Sequence, residues 1–154
     1  MQKFSTPEYI TITYRDDLQM LVARWLRPAT PAETREGYHF ILRAGLNFKC
    51  PFWLLDGRRR LPADAETTKW GLFDFFPQLS GQMGQRVCIS QLLSPTYQQA
   101  TDSMPVFQQL ESTPQTYQMR RFNDEAQAVD WLRQCQQHTL QPSCQVQGTA
   151  QVQW

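Results

Sequence analysis

Apolar and polar positions alternate along Tyr9-Ile10-Thr11-Ile12-Thr13-Tyr14, the period of a half-buried strand. Arg15-Asp16-Asp17 supplies turn chemistry, and Met20-Leu21-Val22-Ala23-Arg24-Trp25-Leu26 returns as a second strand. So short a connection makes the pair an antiparallel hairpin. The pattern then switches to the helical period. Thr30 can cap, Pro31 sits where a missing N–H costs nothing, and Glu33 completes a capping box. The helix runs to about Phe48, with Tyr38, Ile41, Leu42 and Leu46 on one face. Phe52 to Leu55, a continuous apolar run after a proline, reads as a central strand covered on both faces.

Beyond Arg58-Arg59-Arg60, Asp64 is placed to cap a second helix. Leu72, Phe76, Leu79 and Met83 follow its 3.6-residue period, and Pro77 is expected to kink it or end it early. Arg86 to Leu93 reads as a fourth strand, Ser94-Pro95 as the start of a short helix, and Met104-Pro105 as another turn or helix reaching Leu110. Tyr117 to Phe122 alternates with polar residues on one side, as an edge strand does. Asn123-Asp124-Glu125 caps a final helix whose Ala128, Trp131, Leu132 and Cys135 form an apolar stripe. The order β-β-α-β-α-β-α-β-α predicts an α/β fold, with a single domain over residues 1–135 and a mixed five-stranded sheet flanked by helices. The Gln-rich C-terminal tail, residues 136–154, differs: seven of its 19 residues are glutamine and none is charged. Its composition predicts a disordered extension, although Val146, Val152 and Trp154 give it apolar handles for docking on its own domain or a neighbouring subunit.

Composition narrows the function classes. A chain of 154 residues, 41% hydrophobic and 12% aromatic, has the makings of a core, and a domain of this size buries roughly 68–70% of its unfolded surface. A net charge of +1 provides no global field for nucleic acid or membrane, so electrostatic recognition must be local. No apolar segment follows Met1-Gln2-Lys3, and no run approaches ~18 apolar residues, so neither a signal peptide nor membrane insertion is expected. A cytoplasmic, bacterial-type protein is the simplest reading. Cys50, Cys88, Cys135 and Cys144 form no Cys-x-x-Cys pair and read as free thiols. His39 and His138, the only histidines, have no Ser, Cys or acidic partner at a catalytic spacing. No enzyme, metal or cofactor is therefore expected.

The chain concentrates charge at one place, Asp56-Gly57-Arg58-Arg59-Arg60, where an apolar strand ends and a helix approaches. In α/β proteins ligands and partners are read at such junctions. Guanidinium forks suit carboxylate or phosphate, and a helix N-terminus favours anions. One reading is a recognition site for an anion or a phosphorylated partner, comprising Asp56, Arg58, Arg59 and Arg60 with Thr67 and Trp70, and with Asp56 orienting one arginine. The other is a solvated loop in which one arginine pairs with Asp56 and the others with Asp64 or Glu66. On either, Arg58→Ala with Arg59→Ala is expected to leave folding intact. Trp70, Phe73, Phe75 and Phe76 are too crowded to share one helix face, so they read as core plus a partly exposed aromatic, or as a patch for dimerisation or a ligand. Ser94, Thr96 and Tyr97 open the next helix, where they cap it or line the same rim.

Three stretches together resemble the SpoIIAA-like, or STAS-like, family of small bacterial domains, in particular its uncharacterised STAS/SEC14-type subgroup. They are Ile12-Thr13-Tyr14-Arg15-Asp16 with Ala23-Arg24-Trp25-Leu26-Arg27-Pro28, then Trp53-Leu54-Leu55-Asp56-x-Arg58-Arg59, and finally Arg121-Phe122-Asn123-Asp124-Glu125-Ala126-x-Ala128-x-x-Trp131-Leu132. The match spans roughly residues 8 to 135. The resemblance implies a non-enzymatic regulatory or protein-interaction domain, working by protein binding to an unidentified partner or to itself as a homodimer, at the rim after the third strand. The alternative it leaves is a small carrier for an anionic amphipathic ligand, a lipid or nucleotide. In the family's anti-anti-sigma factors a serine opening the helix after the third strand is phosphorylated. Here no Ser or Thr lies between Asp56 and Glu66, and the first hydroxyls are Thr67 and Thr68, so that role is not carried over.

Overall fold

The hairpin signal and the capping box materialise where the pattern puts them. In the computed structural model, which describes residues 1–105 and 116–139, the chain forms β1 (Gln2–Phe4), β2 (Ile10–Arg15), β3 (Met20–Trp25), α1 (Pro31–Phe48) and β4 (Phe52–Asp56). It continues with α2 (Ala65–Trp70), a π-helical turn (Gly71–Phe75), α3 (Phe76–Met83), β5 (Cys88–Leu92), α4 (Pro95–Asp102), β6 (Gln118–Phe122) and α5 (Glu125–Thr139). The sheet is mixed, as expected, but has six strands rather than five, in the order β1-β2-β3-β4-β5-β6. The additional strand is β1, which pairs antiparallel with β2 through Lys3↔Thr13. Three residues are too few to carry a period-2 signal, and the strand exists because β2 offers it an edge. The strand expected as third in the chain is therefore β4. The turn or helix expected from Met104 to Leu110 falls largely outside the described residues, as does the tail beyond Thr139.

Sequential order from β3 to β6, all parallel, has a consequence for the layers. Right-handed crossovers that advance in one direction place their helices on one face of the sheet. Accordingly α1, the π turn and α3 pack Tyr38, Ile41, Leu42, Phe75, Phe76 and Leu79 on Leu21, Ala23, Trp25, Trp53, Leu55 and Ile89. Among the described residues α5 covers the opposite face, setting Ala128 and Leu132 on Met20, Val22, Leu54, Cys88 and Leu92. Because β3 and β4 are covered on both faces, their sequences are apolar at successive positions instead of alternating.

The expected capping box of α1 forms: Thr30 accepts from the Glu33 N–H while Glu33 accepts from the Thr30 N–H. Leu46, expected on the buried face, is 41% exposed. The buried stripe is centred instead on small residues that contribute nothing to a hydrophobic pattern. A Cβ on Gly37 would lie 2.4 Å from Cη2 of Trp25, and one on Gly45 would lie 2.7 Å from Cζ2 of Trp53. Those two glycines let the helix backbone rest on the two indoles.

Pro77, expected to kink the second helical stretch or end it early, does not end it; the α-helical pattern gives way to a π turn just before it and then resumes. Phe76 N–H bonds back to the Gly71 carbonyl in a π-turn, and Pro77 takes the first turn of α3, where its missing N–H is tolerated. The Leu72 carbonyl would next look to residue 77, which has no N–H to donate. Tyr117 Oη donates to it instead, at 3.4 Å. Helical dihedrals at Trp70, Gly71, Phe75 and Phe76 carry the rod through to Met83.

α5 also runs past the expected domain end at residue 135, and the Gln136 amide donates to the carbonyls of Leu18 and Gln19, both at 3.0 Å. Cys50 and Cys88 are buried thiols, and Cys135 is partly buried. Among the described residues no helix is long and apolar enough to cross a membrane.

Candidate binding site at the carboxyl edge of the parallel strands

The end of β4 distributes charge to both faces of the sheet. In register, Arg24, Asp56, Leu92 and Phe122 line up across four strands, with Leu92 and Phe122 on the α5 side. Asp56 therefore points toward the N-terminus of α5. The chain leaves β4 through Gly57, whose N–H continues the ladder to the Leu92 carbonyl at 2.8 Å, and Arg60 N–H closes a turn on the Gly57 carbonyl at 3.1 Å. This turn separates the three consecutive arginines: Arg58 and Arg59 are exposed while Arg60 is buried.

On the α5 side, four charged groups form a closed network. Asp56 accepts from Arg58 Nε at 3.0 Å, Arg58 Nη2 at 2.9 Å and Arg24 Nη1 at 2.7 Å. Glu125, the first residue of α5, takes both terminal nitrogens of Arg24 at 3.0 and 3.2 Å and Arg58 Nη2 at 3.2 Å. Two guanidinium groups thus meet two carboxylates, and every charge is matched. Burial pushes the Asp56 carboxyl up, but the Arg58 side chain and N–H together with Arg24 hold it below its ordinary value. Arg24 does the same for Glu125. The expectation that Asp56 orients one arginine is met by Arg58; its second partner, Arg24, lies 32 residues away in the chain.

On the other face, Arg60 turns under α1. Its Nη2 donates to Thr34 Oγ1 at 2.8 Å and its guanidinium carbon lies 4.5 Å from the Trp25 ring centroid. It pairs with neither Asp64 nor Glu66; Asp64 instead caps α2, accepting from the N–H and hydroxyl of Thr67. Beside Arg60 opens a cavity of about 40 Å³, whose walls include Thr34, Tyr38, Thr67, Thr68, Gln91 and Tyr97. The Tyr38 phenol is held above its ordinary value by burial, so it stays a neutral hydroxyl.

Of the residues expected at one site, the structure brings Arg60 and Thr67 to this cavity and sends Asp56 and Arg58 to the opposite face. Arg59 faces solvent. Trp70 stands apart, stacked on Phe75 at 5.2 Å between ring centroids, with the Arg35 guanidinium 5.0 Å above its ring. Tyr97, weighed as cap or rim, lines the cavity, while Ser94 does the capping by accepting from the Tyr97 N–H. Sequence reasoning missed Arg24, Glu125, Thr34, Tyr38 and Gln91. Arg24 carried the one available signal, a charge amid the apolar run of β3. No group of three or more His, Cys, Asp or Glu side chains among the described residues is arranged to hold a metal. Comparison with family models, curated proteins and solved structures finds no match to this chain.

Proposed function

We propose that this chain is a non-enzymatic, STAS-like regulatory or protein-interaction domain that binds a protein partner, or a second copy of itself, through the loop following β4. One observation carries the reading. Arg59 and Leu61, two residues apart at the carboxyl edge of the sheet, are both exposed, Leu61 to 68%. Arg59 has no ion pair among the described residues, and Leu61 is a large apolar side chain offered to water. A cation beside an apolar side chain suits a partner surface that is acidic and partly apolar. The Arg24–Asp56–Arg58–Glu125 network anchors the base of the loop, so the two side chains are presented from a fixed root. The alternative carrier reading needs a pocket of about 300 Å³ or more for a lipid or nucleotide, and the cavity beside Arg60 measures about 40 Å³.

The test compares wild type with an Arg59→Glu, Leu61→Ala double variant of unchanged circular dichroism. Proteins captured from the native host are identified by mass spectrometry, and self-association is followed by sedimentation velocity. A partner or dimer whose binding falls about tenfold or more in the variant supports the loop as interface. Retention of every interaction by the variant removes the loop from the function.

A further inference from the structure

Among the described residues, Arg60 is a buried cation without a counter-ion. It is 8% exposed, its Nε is buried with no hydrogen-bond partner, and no described carboxylate pairs with it. A charge removed from water is stable only when paired or hydrogen-bonded in full. The Trp25 ring and the Thr34 and Tyr38 hydroxyls satisfy it in part, leaving a positive centre at the wall of a cavity.

The rest of the wall has the character that an anion needs. Thr34, Thr68, Tyr38, Tyr97 and Gln91 all line it and all carry donor hydrogens, and none of the described lining residues is acidic. Thr34 Oγ1 accepts from Arg60, which leaves its own proton to donate. Leu72 and Phe76 supply an apolar floor, and in such surroundings a guanidinium attracts an anion more strongly than it does in water. Size sets the limit. A cavity of about 40 Å³ holds roughly three water-sized positions at ~10–15 Å³ each, the bulk of one phosphate or carboxylate group and far less than a lipid or nucleotide.

We infer that this cavity binds a single small oxyanion, a phosphate or a carboxylate, with Arg60 as its charge partner and the surrounding hydroxyls as neutral donors. The site lies on the α1 side of the sheet and uses neither Arg59 nor Leu61, so it stands independently of the partner surface.

The Arg60 Nε–H resonance, assigned through its own backbone, reports occupancy directly. The full chain is titrated with inorganic phosphate and, separately, with acetate, with ionic strength held constant by chloride. A saturable shift of that resonance is expected with one or both anions. Phosphate alone marks a tetrahedral ligand, acetate alone a planar one, and each supports the site. Arg60→Gln removes an interior contact as well as the charge and is prone to misfold, so the cavity wall is tested with Thr68→Val and Tyr97→Phe. Each is expected to weaken binding about three- to tenfold, whereas Arg59→Ala leaves it unchanged. Absence of a saturable shift with either anion, or a shift that survives both wall substitutions at full affinity, overturns the proposal and leaves a cavity filled with water.

Discussion

Arg58 and Arg60 lie two residues apart, yet one stands in a neutral, self-satisfied network and the other in a buried pocket with no counter-charge among the described residues. Arg58 meets Asp56 and Glu125, with Arg24 completing the balance. Arg60 has an indole and two hydroxyls, of Thr34 and Tyr38, for company. The lesson is that a run of like charges is no unit of function. Where a strand ends, a single tight turn can send neighbouring side chains to opposite faces of a sheet, where they answer to different partners.

The sharpest way to break the contrast is through Trp25, which lies under both the helix and the arginine. Gly37→Ala would bring a Cβ to 2.4 Å from this indole. We expect a loss of about 3 kcal/mol in urea denaturation, together with disturbance of the Arg60 pocket, while the network on the far face keeps its geometry.

Removing the shared acceptor comes next. Asp56→Asn leaves Arg24 and Arg58 competing for Glu125, and about 2 kcal/mol of stability should go. The same group gives a pH signature. Its folded carboxyl lies below its ordinary value despite burial. It therefore contributes stability that is fully present above the unfolded pKa, about 4, and is lost as pH falls through the lower folded value. Wild type and Asp56→Asn should then converge in stability on acidification below about pH 4, as measured by denaturation across pH. A gap that stays constant with pH would show that the carboxylate charge is not what holds the network.

The smallest effects separate Arg58 from Arg59. Their joint removal was expected to leave folding intact on the ground that the loop is exposed. With Arg58 bound to two carboxylates, Arg58→Ala should cost about 1 kcal/mol or less, since its side chain is 43% exposed and screened. Arg59→Ala should not measurably move the midpoint. Equal effects of the two in urea denaturation would mean that the turn does not divide them.

Much of the fold was legible because its signals are local. Thr30, Pro31 and Glu33 lie within a single turn, and the capping box they announce forms. Asp64 and Ser94 cap where they were expected to. The failures are equally physical. Pro77 was read by its effect on an ideal α-helix, but the π-turn before it and the hydroxyl of Tyr117 accommodate its missing donor. Leu46 was counted as core because the seat of α1 lies over Gly37 and Gly45, residues silent in any hydrophobic pattern. For the site, the location at the end of β4 was legible, but its membership was not. Glu125 lies 101 residues from Arg24, and nothing near either residue announces the pair.

By itself the sequence determined the order and kind of nearly all the elements, and that charge would gather after β4, because caps, turns and periodicity act over a few neighbouring residues. Only the tertiary structure decided which charges are spent. Among the described residues, α1, α3 and α4 lie on one face of the sheet and α5 on the other, which brings Glu125 to Arg24 and Arg58 and brings no acid to Arg60. Whether a charge is neutralised depends on what lies within a few ångströms in space, and that neighbourhood exists only once the sheet has been assembled.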